Sequence, residues 1–225
     1  MYLAASLVLA LLFALGLNRS ISKYPIAWYV ASTLLTMGVW LYYLLGFRDV
    51  FPEGFTTYFV NPFKRGAFST ALFILVMYVG VLNPKWTITK KLRNIRGELS
   101  IIACIITLGH NLVYGKNHFV KLFTRVGEMK IQYLIATIIS LVMIVIMLPL
   151  MITSFRCVRG RMKAATWKGI QRWAYVFFAL IYFHVMVVFV TKASKKWVDI
   201  IVYTIIFGGY FLLKADKINR IRKVK

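Results

Sequence analysis

From residue 131 to residue 154 the chain runs without one Asp, Glu, Lys or Arg, and six comparable uncharged stretches accompany it, at about 2–17, 26–46, 66–83, 99–115, 173–191 and 200–213. A bilayer core asks for about 20 consecutive apolar residues, with a tolerated range of roughly 17 to 25. Charges cluster between the runs instead of interleaving with them. Composition agrees: 60% of the 225 residues are hydrophobic and 16% charged, with a mean hydropathy of +0.74, against about 25% charged in a soluble domain. A soluble enzyme, a disordered tail and a secreted disulfide scaffold are thereby excluded. The fold class expected is all-α, a polytopic membrane helix bundle of about seven transmembrane helices. The run at 200–213 is the shortest. No block repeats and no stretch is of low complexity, so the bundle reads as one unit.

The net charge is +23, from 29 basic and 6 acidic residues. In a soluble protein that would suggest nucleic acid. Here most of the charge lies in the linkers, where it anchors and orients a bundle in a lipid bilayer, so no nucleic-acid partner is expected. The linkers at 18–25, 84–98 and 155–172, with the tail, hold 19 Lys and Arg; those at 47–65 (with Arg48), 115–130 and 191–199 hold 10. The excess puts the first group and the C-terminus in the cytoplasm and the N-terminus outside a plasma membrane. Met1 to Leu17 lacks a basic n-region and a small-x-small cleavage site, and reads as a first spanning helix. Segment 47–65 mixes Pro52, Gly54 and Pro62 with aromatics, and reads as an interfacial outer loop. Cys104 falls inside a run and Cys157 in a basic loop, so no mutual disulfide is expected.

An ionisable side chain inside a span is costly and is by default a functional hypothesis. Two of the three histidines are so placed: His110 in the fourth run and His184 in the sixth. Taken singly, each reads equally well as a neutral hydrogen-bonding residue between helices. The fourth and sixth helices run parallel. His110 lies 14 residues beyond Arg96, and His184 lies 12 beyond Arg172. These are rises of about 21 and 18 Å, so both imidazoles reach similar depth in the outer leaflet. Two neutral imidazoles facing across a bundle core suit a six-coordinate haem. Di-iron sites need an EXXH pattern that is absent here, and zinc needs a third or fourth ligand. Thr107 and Ala103 precede His110 by one and two turns and would let a flat ring approach. Leu180 or Ile181, then Phe177, do so before His184 and form an apolar wall. Lys116 and Lys192 lie outward and could meet propionates. His118 reads as a solvated residue of the outer loop.

The stretches LRNIRGELSIIACIITLGHNLVYG (92–115), IMLPLMITSF (146–155) and WKGIQRWAYVFFALIYFHV (167–185) resemble the ferric reductase-like transmembrane domain. RGAFSTALFILVMYVGVLNPKWTITKKL (65–92) also resembles the preceding helix of one bacterial form, the haem-binding membrane subunit serving a periplasmic methionine sulfoxide reductase. The resemblance covers about 65–215 as a haem-binding bundle. It leaves 1–64 as two N-terminal helices plus the aromatic loop, and 216–225 as a basic cytoplasmic tail. It implies that His110 and His184 are haem b ligands, placing the haem between the fourth and sixth helices. The bacterial form's inner histidine falls on Gln171, thirteen residues before His184, so one haem is expected and not two.

From the outer histidines to the cytoplasmic helix ends is about 20 Å, long for one electron hop. A flavin, FMN or FAD, on the cytoplasmic side would bridge it, as distant metalloreductase relatives imply. Arg93, Arg96, Lys168 and Arg172 could hold its phosphate, and Trp167, Gln171 or Trp173 could touch its ring; positive-inside anchoring explains the same basic cluster. No dinucleotide-binding motif is present, so a pyridine nucleotide would be oxidised by another protein. The expected donor is a cytoplasmic flavin reductase or a membrane quinol. The expected acceptor is an extracytoplasmic redox protein or ferric iron. The alternatives are a non-redox membrane protein such as a small transporter, or a haem-containing anchor subunit of a partner oxidoreductase.

Overall fold

The computed structural model describes residues 2–47 and 50–223; Met1, Arg48 and Lys225, which enter the terminal and linker readings above, lie outside the described residues. Among the described residues the regular elements are all helical. The chain opens with α1 (Tyr2–Gly16), α2 (Asn18–Lys23) and α3 (Pro25–Leu44). Pro25 sits in the first turn of α3, where its missing N–H would have had no intrahelical partner anyway. Next come α4 (Glu53–Phe55), a π-turn at Thr56–Val60 and α5 (Asn61–Lys64), then α6 (Ala67–Tyr78) and α7 (Thr87–Asn94). After α8 (Arg96–His110), a π-turn at Asn111–Gly115 carries the helix on into α9 (Lys116–Thr124). The remainder is α10 (Ile131–Ile152), the short α11 (Arg156–Arg159), α12 (Ala164–Gln171), α13 (Trp173–Val190) and α14 (Ala193–Lys223).

Among the described residues four helical stretches are long and apolar enough to cross a membrane: Arg96–Thr124, Ile131–Ile152, Ala164–Val190 and Ala193–Arg220. This is an all-helical, multi-pass membrane architecture. α1 and α6 are apolar but have only 15 and 12 residues. The uncharged run at 66–83 stops being helical at Tyr78 because Gly80 and the Asn83–Pro84 step favour a turn. At about 1.5 Å per residue α6 is only some 18 Å long. Ten of its twelve residues are nonetheless buried, so it is sheathed by protein rather than lipid, where a short helix leaves no backbone group facing hydrocarbon. The run at 200–213 is the middle of the 31-residue α14. Its flanks carry charge, yet lack a Pro or a capping Gly that would end the helix.

The helices pair as α1 on α6, α3 on α8, α6 on α8, α10 on α13 and α13 on α14. In lipid such pairs rest on close packing more than on expulsion of water. α1 shows how: Ser6, Ala10 and Ala14, four residues apart, form its buried face with Leu3. α1 and α3 therefore build the same core as the segments that follow them.

Where an interfacial outer loop is expected over 47–65, the chain is partly helical. Residues 53–64 are helical throughout, because Pro52 precedes the first turn and Pro62 opens α5. Phe51, Phe55 and Phe59 stack at successive centroid distances of 5.1 and 5.6 Å along one side.

At one end of the bundle the linkers interlock. Asn18 Nδ2 donates to the Lys91 carbonyl at 2.6 Å, Asn94 Nδ2 to Ser22 Oγ at 3.1 Å, and Arg156 to both Glu98 and the Ser22 carbonyl. This is the end that carries the larger share of Lys and Arg. At the opposite end, Lys64 lies 3.6 Å from the Tyr43 ring and Arg65 4.7 Å from that of Tyr2.

Candidate functional site

His110 ends α8 and points at the turn that opens α6. Its Nδ1 lies 2.7 Å from the Lys64 carbonyl oxygen. A carbonyl can only accept, so Nδ1 carries the proton and Nε2 keeps its lone pair. Gly66, the last residue of the turn, has φ +69°, and a Cβ built there would stand 3.3 Å from Cγ of His110. The imidazole thus rests on a backbone surface that any side chain at 66 would crowd. On its other sides are the Tyr114 ring, 5.4 Å away, and α3, whose Thr36 methyl packs against Gly109 so closely that a Cβ at 109 would overlap it.

His184, in α13, meets α10 in the same manner. Its Nδ1 lies 3.1 Å from the Ala136 carbonyl and 3.3 Å from Ser140 Oγ. Again the carbonyl fixes the proton on Nδ1 and leaves Nε2 as the basic nitrogen. Ala136 lies in the second turn of α10 and Lys64 just before α6, so both histidines lie toward the same end of the bundle. Among the described residues α8 and α13 make no extended contact with one another, while α10 packs on both.

A histidine that ligates a metal does so through a neutral ring whose other nitrogen is usually held by an acceptor, which fixes the tautomer and ring orientation. Both histidines fit that pattern. No cluster of three or more His, Cys, Asp or Glu able to hold a metal ion occurs among the described residues.

The other expected site residues lie at the opposite, basic-rich end. Trp167 Nε1 donates to the Thr153 carbonyl at 2.9 Å, and Gln171 Nε2 to Thr153 Oγ1 at 3.0 Å and the Leu150 carbonyl at 3.4 Å. Both side chains thus satisfy the C-terminal end of α10, whose last carbonyls have no helical donor. Arg159 stacks on the Trp167 ring at 4.6 Å. Arg172 is exposed, and Arg96 lies in the field of Tyr175 and Tyr210. Lys116 and Lys192 are exposed, whereas Lys64 meets His110 through its main-chain carbonyl. His118 is in a helix, half-buried, with its ring 5.4 Å from that of Tyr133. Reasoning from sequence missed the Lys64 carbonyl, Gly66, Ala136 and Ser140. Gly66 after a basic pair was the one visible signal, since backbone acceptors leave no mark on a sequence.

Residues 65–182 match the family described as the ferric reductase-like transmembrane component. The chain belongs to this family. The match begins at the residue after Lys64 and includes His110, Gln171 and most of α13, and it stops two residues short of His184. Over 220 residues, 94% of this chain, the sequence is 33% identical to an uncharacterized protein of Treponema pallidum (strain Nichols), and it spans 59% of that protein's length. No solved structure matches the chain. Membership of the ferric reductase-like family points to electron transfer in a membrane.

Proposed function

We propose that this ferric reductase-like chain holds one haem b between His110 and His184 and passes electrons across the membrane to an extracytoplasmic acceptor. The observation that carries the reading is the matched pair of Nδ1–H bonds to main-chain carbonyls, 2.7 Å for His110 and 3.1 Å for His184. They leave two Nε2 lone pairs at one end of the bundle. When bound, haem iron alternates between ferric and ferrous and so carries one electron at a time. The protein's share is to hold the two rings by backbone bonds, to surround them with apolar helices, and to fix their neutral form.

The excess of Lys and Arg at the other end supports a cytoplasmic placement of that end. The donor is then a reduced flavin or quinol reaching the chain from that side or from the bilayer. The acceptor, a redox protein or ferric iron, meets the end that carries Lys64 and Arg65. The likeness of 65–92 to the haem-binding subunit of a methionine sulfoxide reductase system favours a redox protein.

The test is optical. Purified full-length protein, loaded with haem during expression, should show a Soret band and a reducible α band. A colourless protein that also refuses haem in reconstitution would overturn the reading in favour of a non-redox membrane protein.

A further inference from the structure

At the basic-rich end α13, α14 and the turn after α6 meet around Lys214 and Lys217, for which no ion pair is found among the described residues. α14 is about 46 Å long at 1.5 Å per residue, longer than a bilayer core, and its uncharged stretch ends at Lys214. Lys214 Nζ donates to Tyr175 Oη at 2.8 Å and lies 4.6 Å from that ring's centre. Lys217, one turn on, donates to the Gly80 carbonyl at 2.8 Å, just beyond α6. Both lysines are half-buried, unusual for a residue that normally keeps its head in water.

The chain has six acidic residues, and five are described. Glu98 pairs with Arg156, Glu128 with Arg125, Asp199 with Lys196 and Asp216 with Arg220. Glu53 belongs to the helical segment that leads to Lys64, at the opposite end. Among the described residues, then, no carboxylate forms an ion pair with Lys214 or Lys217. Their bonds go to a phenol oxygen and a carbonyl, which orient an ammonium without neutralising it. Each ammonium has three donors and spends one. Tyr175, having accepted from Lys214, still has its own proton to give.

We propose that Lys214, Lys217 and the Tyr175 hydroxyl form a binding site for a phosphate group at the inner membrane boundary. Two ammonium charges and a hydroxyl donor match the oxygens of a phosphate. The same chemistry comes from an anionic phospholipid headgroup or from the phosphate of a mononucleotide such as FMN. The site does not depend on the haem reading, and its failure would leave that reading untouched.

The test measures phosphate binding by the full-length protein in detergent. Native mass spectrometry reads retention of phosphatidylglycerol against phosphatidylcholine. Quenching of flavin fluorescence reads FMN against riboflavin, which lacks the phosphate. Retained phosphatidylglycerol with no preference for FMN over riboflavin identifies a lipid site; the reverse identifies a mononucleotide site. In either case K214Q/K217Q should weaken binding about thirtyfold, at roughly fivefold per cation lost near an anionic group. K214R/K217R, which keeps the charge, should retain binding and shows that the positions tolerate substitution. K85Q/K90Q removes two exposed cations from the same end and should leave binding unchanged. Equal loss in K85Q/K90Q would reduce the site to general basic character and overturn the proposal. So would failure of the wild-type chain to discriminate in both assays.

Discussion

The Nδ1 of His110 stands 2.7 Å from the Lys64 carbonyl, and two residues on, Gly66 turns its bare Cα toward the same ring. One short turn therefore fixes both the tautomer and the orientation of the imidazole. Replacing Gly66 by Ala puts a Cβ 3.3 Å from Cγ in a left-handed conformation that costs an L residue about 1–2 kcal/mol. The expected outcome is a lower melting temperature together with altered electron paramagnetic resonance g-values of the ferric haem, its content being retained. Unaltered g-values in a folded Gly66→Ala protein would remove the turn from the site.

Ligation itself is tested by His110→Ala and His184→Ala. Two imidazoles give a low-spin, six-coordinate ferric haem. Each replacement should leave a high-spin haem or none, and His118→Ala, whose ring stacks on Tyr133, should leave the spectrum as it was. Low-spin spectra in both alanine variants would sink the assignment.

Gln171 bears on stoichiometry. Its amide is engaged with Thr153 and Leu150 at the end of α10, and it has no imidazole to offer. A pyridine haemochrome assay should give about one haem b per chain. Gln171→Ala should lower stability by about 1 kcal/mol, the usual worth of a hydrogen bond, without changing that ratio. A ratio of two in the wild-type chain would require a ligand other than His110 and His184.

Much of this was legible in the residues, for stated reasons. Uncharged runs became helices because the backbone in lipid must satisfy itself. His110 and His184 stood out because an ionisable group in such a run is rare. What escaped was set by tertiary contact. Residues 53–64 fold as helix although Gly54 and Pro62 argue for a loop, since Pro62 falls at the first turn of α5 where proline is tolerated. α6 is shorter than its apolar run because Gly80 and Pro84 end it. The carbonyls of Lys64 and Ala136 carry no side-chain signature, so the groups that orient the histidines could be found only in three dimensions.

The assignment of ends rests on 19 Lys and Arg against 10. A reporter fused after Lys225 should be active only as a cytoplasmic fusion. Activity only from an exported reporter would invert the bundle, and with it the direction of electron flow.

Glu98 and Arg156 offer a test of what holds the basic-rich end together. Glu98 is buried at 5% exposure, and Arg156 Nε and Nη2 reach the same carboxylate oxygen at 2.6 and 2.5 Å. Nη2 also donates to the Ser22 carbonyl at 3.1 Å, so one side chain ties α11 to both α8 and α2. The Arg156 side chain is 59% exposed and that of Glu98 6%. This asymmetry sets the ranking of variants. Losing Glu98 lets Arg156 turn back to water, whereas losing Arg156 strands a buried carboxylate without its donors. Arg156→Ala should cost about 1–3 kcal/mol, the penalty for an unsatisfied buried group, and Glu98→Gln less. Adding Glu98→Gln to Arg156→Ala should recover part of the loss, because the stranded group is then neutral. Melting temperatures in one detergent read all three. Equal losses from the two single variants, or no recovery in the double, would mean that the pair is held by α8 and α11 packing and contributes little of its own.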